Sequence, residues 1–232
     1  MFLCGNGWGY TRTYDRTEFA YGLDLAAAKG YVGVTVDYSS TRANGNDRPT
    51  GAFPAQVYDV KSAIRFLRAN ADRFDIDPDR IAVVGHSSGG NLALMLGLTR
   101  PEDGLEGKDD YLQYSSAVQA VVNFAGPTEL ASDYLSTPEV DSAYVGGTPK
   151  AVPDRYRMAS PVTYVRPDAP PILTIHGDKD TASSVGQAFL LDEKMRDAGG
   201  SHTLIVKKGA GHMDFSLAEP AVWEFLARVL RN

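Results

Sequence analysis

A chain of 232 residues, 43% of them hydrophobic, is long enough for one large core and short for two. Its formal net charge of -6 opposes the basic stripe that phosphate-tracking nucleic-acid binding requires, and no apolar run reaches the about 18 residues that span a bilayer. Cys4 is the only cysteine, which excludes an intrachain disulfide and fits a reducing compartment, so the expected location is the cytoplasm. Met1–Gly5 lack the basic and long apolar regions of a signal peptide. The basic groups Lys207-Lys208 and Arg65/Arg68 read as solvated faces.

Taken in chain order, short β-rich runs alternate with helical ones. Met1–Cys4 reads as a strand and Glu18–Lys29 as a helix, and YVGVTVDY at Tyr31–Tyr38 reads as a buried strand. Over Pro54–Phe74 a long helix is predicted, with Val57, Val60, Ile64 and Leu67 on one stripe and Asp59, Lys61, Arg65 and Arg68 facing elsewhere. A turn at Asp75–Asp79 feeds a strand at Arg80–Gly85, followed by a helix at Asn91–Leu98. Ala117–Phe124, Pro171–His176 and Thr203–Lys207 are the remaining strands, and Ser184–Asp197 and Pro220–Leu230 the remaining helices. This alternation predicts an α/β fold, with a mostly parallel sheet covered by helices on both faces. Residues 131–170 break the rhythm with Pro, Ser, Thr and Tyr. They are expected to form a short cap with one or two small helices, within a single domain spanning 1–232.

Gly85-His86-Ser87-Ser88-Gly89 matches G-x-S-x-G between a strand and an apolar helix, the setting of a nucleophile elbow. Ser87 is the candidate nucleophile, and a serine hydroxyl needs a base. Of the four histidines, His86 lies inside the elbow and is expected to line the pocket, His176 ends a strand and reads as structural, and His202 is expected to meet solvent. His212 follows the last strand, where α/β folds place ligands and catalysts, and is the candidate base. The loop after Ile175 offers Asp178 and Asp180 as the orienting acid. Composition does not separate the two, and either gives the order Ser, Asp, His. No H-x-x-x-H or C-x-x-C pair appears, so neither a metal nor a cofactor is expected.

Gly-His-Ser-Ser-Gly-Gly, His-Gly-Asp-Lys-Asp and Gly-Ala-Gly-His together resemble the esterase/lipase branch of the α/β-hydrolases, in particular small bacterial carboxylesterases and acetyl- or feruloyl-esterase-like proteins. Residues 68–80 and 159–165 extend the resemblance over nearly the whole chain. In that family the loop H-G-x-x-D carries its acid last, which favours Asp180. The family's H-G-G-G-W loop aligns with Cys4-Gly5-Asn6-Gly7-Trp8, with Cys4 in place of His and Asn6 in place of Gly. The resemblance therefore implies an oxyanion hole built from the backbone N–H groups of Asn6, Gly7 and Ser88. It also implies roughly two further strands ahead of the first one here. Tyr31–Tyr38 would then be an exposed edge, an association hazard that a second copy of the chain would cover.

The expected reaction is acyl transfer from a small ester to Ser87 and then to water. Trp8, Tyr10, His86, Tyr134, Tyr144 and Met213 are candidate pocket residues, and a short cap favours short-chain or aryl esters. A carbohydrate deacetylase or feruloyl esterase, or an arylformamidase or peptidase, would use the same triad. A non-catalytic ligand-binding protein on the same scaffold is the alternative from another class.

Overall fold

The β-branched runs of the sequence form one parallel sheet in the structure, a computed structural model that describes residues 1–10, 19–41, 51–108, 110–132, 138–212, 216–217 and 219–231. The strands are β1 (Phe2–Leu3), β2 (Ala82–His86), β3 (Ala120–Phe124), β4 (Ile172–Gly177) and β5 (His202–Lys207), ordered β1-β2-β3-β4-β5. Register pairs Phe2 with Val84, Val84 with Val122, Val122 with Leu173 and Leu173 with Thr203. Strands β2, β3 and β4 are buried along their whole length, as continuous apolar runs demand, whereas β5 alternates between half-buried and exposed residues at an edge.

Successive side chains of a strand point to opposite faces, and the sheet accordingly divides its core in two. Val83, Val121 and Ile172 pack with α2 (Ala55–Ala69), α4 (Ser88–Leu98) and α7 (Gly186–Ala198) through Val57, Ile64, Leu92, Leu96 and Leu191. On the other face Val84, Val122 and Leu173 pack with α1 (Ala20–Ala28) and α8 (Pro220–Leu230) through Ala26, Val222, Phe225 and Leu226. This is the α/β arrangement expected. The cap region contributes α5 (Pro138–Val145), α6 (Pro153–Ala159) and a 3₁₀ turn at Pro161–Tyr164. No helix among the described residues is long and apolar enough to cross a membrane.

Several expectations need correction. The helix expected over Pro54–Phe74 breaks at Asn70, whose side chain bonds the Phe66 carbonyl, and α3 (Ala71–Phe74) follows as one turn ending in a left-handed Asp75. Tyr31–Tyr38 makes a single parallel bridge, Thr35 to Phe2, instead of a full ladder. Its neighbour β1 has two residues to offer, and at Gly33 the segment packs so closely on α1 that a Cβ would stand 3.0 Å from Leu23.

Arg65 is buried rather than solvated, and Lys61, off the apolar stripe, is buried beside it. They converge on Glu106, with Lys61 Nζ 2.5 Å and Arg65 Nη1 3.0 Å from its two carboxylate oxygens, and Ser116 Oγ donates to the same group. Arg68 also turns inward, donating Nε to the Pro78 carbonyl at 2.9 Å. His202 does not meet solvent either: its ring bridges Asp192 and Thr174, both at 2.9 Å.

Candidate active site

Strand β2 runs directly into α4, and the reversal between them falls on Ser87. Its backbone takes φ 54° and ψ -123°, a region a side-chain-bearing residue rarely occupies, so the turn holds its hydroxyl under strain. Two glycines make room for it. A Cβ on Gly85 would lie 2.1 Å from the Gly89 carbonyl oxygen, and one on Gly89 would lie 2.1 Å from that of Leu3. The Ser87 N–H is tied to the Phe124 carbonyl of β3 at 2.8 Å, which fixes the turn to the neighbouring strand.

The loops after β4 and β5 bring their side chains to this turn. His212 Nε2 lies 2.9 Å from Ser87 Oγ, and His212 Nδ1 lies 2.7 Å from Asp180 Oδ2. Asp180 is buried and Oδ1 accepts the N–H groups of Ala182 and Ser183, both at 2.9 Å. Burial pushes the Asp180 carboxyl up, but hydrogen bonds from His176, His212 and the Ser183 N–H outweigh it and hold the group well below the usual carboxylate range. An ionised carboxylate only accepts, so Nδ1 of His212 carries the hydrogen and Nε2 is left to accept the Ser87 proton. Asp178 is exposed and accepts the Gly209 N–H at 2.6 Å instead.

Two other histidines brace this arrangement. His86 Nε2 is 2.9 Å from the His212 carbonyl, which can only accept, so that nitrogen donates; the two rings stand 5.0 Å apart. His176, read from the sequence as structural, is buried with Nε2 2.7 Å from the Ser183 carbonyl and 3.2 Å from Asp180 Oδ2. Its contact with the acid was legible only as a histidine four residues before Asp180.

The loop after β1 closes the other side. Gly7 and Trp8 both have positive φ, 61° and 54°. The Asn6 N–H is donated to Ser88 Oγ at 3.0 Å, so in this state it is not open to a substrate oxygen, contrary to the expectation for that group. The Asn6 carbonyl oxygen Oδ1 accepts from Gly9 N–H at 2.7 Å and from the Tyr38 hydroxyl at 3.0 Å. Tyr38 also lies 2.7 Å from the Cys4 carbonyl and 3.3 Å from Ser88 Oγ, so one buried hydroxyl ties this loop to the start of α4. Asn6 thus substitutes for the family's glycine with a side chain that the fold uses.

A pocket of about 240 Å³ opens over Ser87, lined by Gly7, Trp8, His86, Asp141, Ser183 and His212 among others. Of the aromatic and histidine candidates, Trp8 and His86 line it. Tyr144 does not: it is fully buried behind Trp8, their rings stacked at 4.0 Å and 4°, because α5 turns that face into the core. Tyr10 is not among the lining residues, and Tyr134 and Met213 lie outside the described residues. Asp141 and Ser183 carried no signal in the sequence that distinguished them from helix and loop polar residues.

Known esterases resemble this chain in sequence and in fold. Esterase LipC of Mycobacterium tuberculosis is 34% identical over 226 residues, covering 91% of this chain and 52% of LipC. The chain spans about half the length of the curated relatives it matches. A truncated carbohydrate esterase from gut microbiota superposes with a TM-score of 0.87 at 27% identity, over 100% of this chain and 85% of that one. Esterase 2 of Thermogutta terrifontis, in a form phosphorylated by paraoxon, superposes with a TM-score of 0.73 at 25% identity, over 98% and 78%. The BD-FAE family model matches residues 1–195. With its elbow, its parallel sheet and this match over most of its length, the chain has the α/β-hydrolase fold and belongs to the BD-FAE family.

Proposed function

We propose that this protein is a serine carboxylic-ester hydrolase that works through an acyl-enzyme on short-chain or aryl esters, within a single domain of residues 1–232 whose residues 131–170 form a short cap. The observation that carries the reading is the unbroken chain of contacts from Ser87 Oγ to His212 at 2.9 Å and from His212 to Asp180 at 2.7 Å. Ser87 attacks the ester carbonyl while His212 Nε2 takes its proton. The Gly7 and Ser88 N–H groups receive the oxyanion, joined by Asn6 if the substrate oxygen displaces Ser88 Oγ. His212 then protonates the departing alcohol, and water repeats the sequence on the acyl group. A pocket of about 240 Å³ suits a small acyl or aryl group.

A second reading, a carbohydrate O-acyl esterase, is favoured by the likeness to the gut carbohydrate esterase. Labelling with a fluorophosphonate tests the reading common to both. We expect one adduct on Ser87, lost in Ser87→Ala. An unlabelled but folded wild type would sink the enzyme reading in favour of a ligand-binding protein.

We also infer that a second copy covers the Tyr31–Tyr38 edge. Val32 there is 51% exposed, and the segment's one bridge leaves backbone groups that can pair with another chain. Light scattering is expected to report a dimer at micromolar concentration; a clean monomer at high concentration overturns this.

A further inference from the structure

One group in the pocket has no part in the mechanism above. Asp141, on the first turn of α5, is 4% exposed and lines the pocket over Ser87. Its carboxyl has no hydrogen-bond or ion-pair partner among the described residues. Buried carboxylates normally have such partners, because leaving one unpaired is costly. The same pocket holds two more polar groups in that condition. Ser183, 2% exposed, has an unpartnered hydroxyl, and Trp8, also 2% exposed, has an unpartnered indole N–H. Three buried polar side chains without partners thus line one small pocket beside the nucleophile. A purely apolar ester would leave all three unsatisfied.

We propose that Asp141 is a specificity-determining residue that accepts a hydrogen bond from a hydroxyl on the alcohol part of the substrate, close to the scissile ester. The assignment rests on the esterase reading of Ser87 and deepens it. Ser183 Oγ and Trp8 Nε1 offer the donors and acceptor that a neighbouring hydroxyl would need. The three line the same pocket from different elements: α5, the loop after β4 and the loop after β1. A neutral hydroxyl suits this set better than a cation, because the other two groups are neutral.

Burial, with Glu139 nearby on the same helix, pushes the Asp141 carboxyl up to about 7. The ionisable groups around it are Glu139 on α5, Tyr156 on α6, and His86 and His212 across the pocket. The ionised form is the stronger acceptor. The preference for a hydroxylated ester should therefore grow as pH rises through about 7 and shrink below it. Ser87 and His212 serve both kinds of ester, so any effect of pH on the shared chemistry cancels in a ratio of two substrates.

The test compares kcat/KM for 2-hydroxyethyl acetate and propyl acetate, which differ by a hydroxyl in place of a methyl. Wild type at pH 8 is expected to favour the hydroxylated ester by about tenfold or more, the range of a hydrogen bond to a charged group. Asp141→Leu should bring the ratio close to one. Asp141→Asn should keep part of it, since an amide oxygen still accepts, and should lose the pH dependence. Fluorophosphonate labelling of Ser87 is run on each protein. A labelled wild type with a ratio near one at every pH overturns the role of Asp141 and leaves the esterase reading standing. An unlabelled wild type that cleaves neither ester takes both readings down. A larger preference for 2-(trimethylammonio)ethyl acetate, which has charge but no donor, would replace the hydroxyl with a cation and overturn the assignment.

Discussion

Asp180→Asn is expected to lower kcat by about 10⁴-fold, the scale set by the same change in a trypsin-type triad, while Asp178→Asn stays within a few-fold of wild type. The reason lies in the donors that meet at Asp180. Its Oδ1 accepts two backbone N–H groups, from Ala182 and Ser183, and its Oδ2 faces His212 Nδ1 and His176 Nε2. An asparagine has one accepting oxygen. With the oxygen toward His212, the amide NH₂ confronts two backbone donors. With the oxygen toward the backbone, the NH₂ donates to Nδ1, and His212 then carries its hydrogen on Nε2, where it cannot take the Ser87 proton. Either orientation disables the base or distorts its loop. Steady-state kinetics on an aryl acetate measures the effect, and equal losses in the two variants would show that the acid had been misassigned. The pH behaviour follows the same geometry. Because the folded-state carboxyl is held below its unfolded range, its stabilising contribution is fully present above the unfolded value of about 3.9 and is lost as pH falls through the lower folded value. Asp180 therefore stays ionised wherever His212 can act as a base.

Glu106→Ala is expected to destabilise the fold by about 3–5 kcal/mol, the cost of leaving buried charge without its partner. Two cations, Lys61 and Arg65, are almost fully buried against this one carboxylate, and Ser116 completes its hydrogen bonds. Arg65 Nε and Nη2 have no other partner among the described residues, so alanine at 106 would leave the guanidinium in the core unneutralised. Desolvation already lowers the Lys61 pKa. Glu106 is opposed by burial as well, yet its bonds to Lys61 and Ser116 hold it below its ordinary value. A depressed carboxyl stabilises above its unfolded pKa, about 4.3, and loses that contribution as pH falls through the folded value. Urea unfolding at pH 7 is the measurement. Lys61→Met added to Glu106→Ala should recover part of the loss, because one buried charge is removed with its chain length kept. A midpoint unchanged by Glu106→Ala would mean that water, rather than the carboxylate, neutralises the pair.

The elbow was legible in the sequence because its strand, its turn and its helix are contiguous. Each residue of Gly85–Gly90 constrains its neighbours, and the glycines announce a backbone crossing that the structure contains. His212 was legible for a related reason, since a loop after a strand is a place rather than a contact. Asp180 could be chosen over Asp178 only through resemblance, because the choice depends on which way the loop after β4 folds under its own N–H groups. The errors share another cause. Lys61 and Arg65 sit on the polar side of a clean amphipathic pattern, and their partner Glu106 lies in a stretch with no periodicity to mark it. Tyr144 read as a pocket aromatic because residue type does not say which face of α5 is turned inward. Asp141 sits in the first turn of the same helix, where acids are common at any surface, and nothing in the pattern marks it as buried.

The parallel order of the sheet governs when the site comes into being. Asn6 follows β1, Ser87 follows β2, Asp180 follows β4 and His212 follows β5, so four separate crossovers must dock before the groups meet. Contacts of such wide sequence separation form slowly. During synthesis the serine emerges well before its base, and a serine hydroxyl alone is a weak nucleophile. The pairing of β5 with β4 delivers the last component. The contact between His212 and Ser87 thus exists only once β5 has paired with β4 and the sheet is complete.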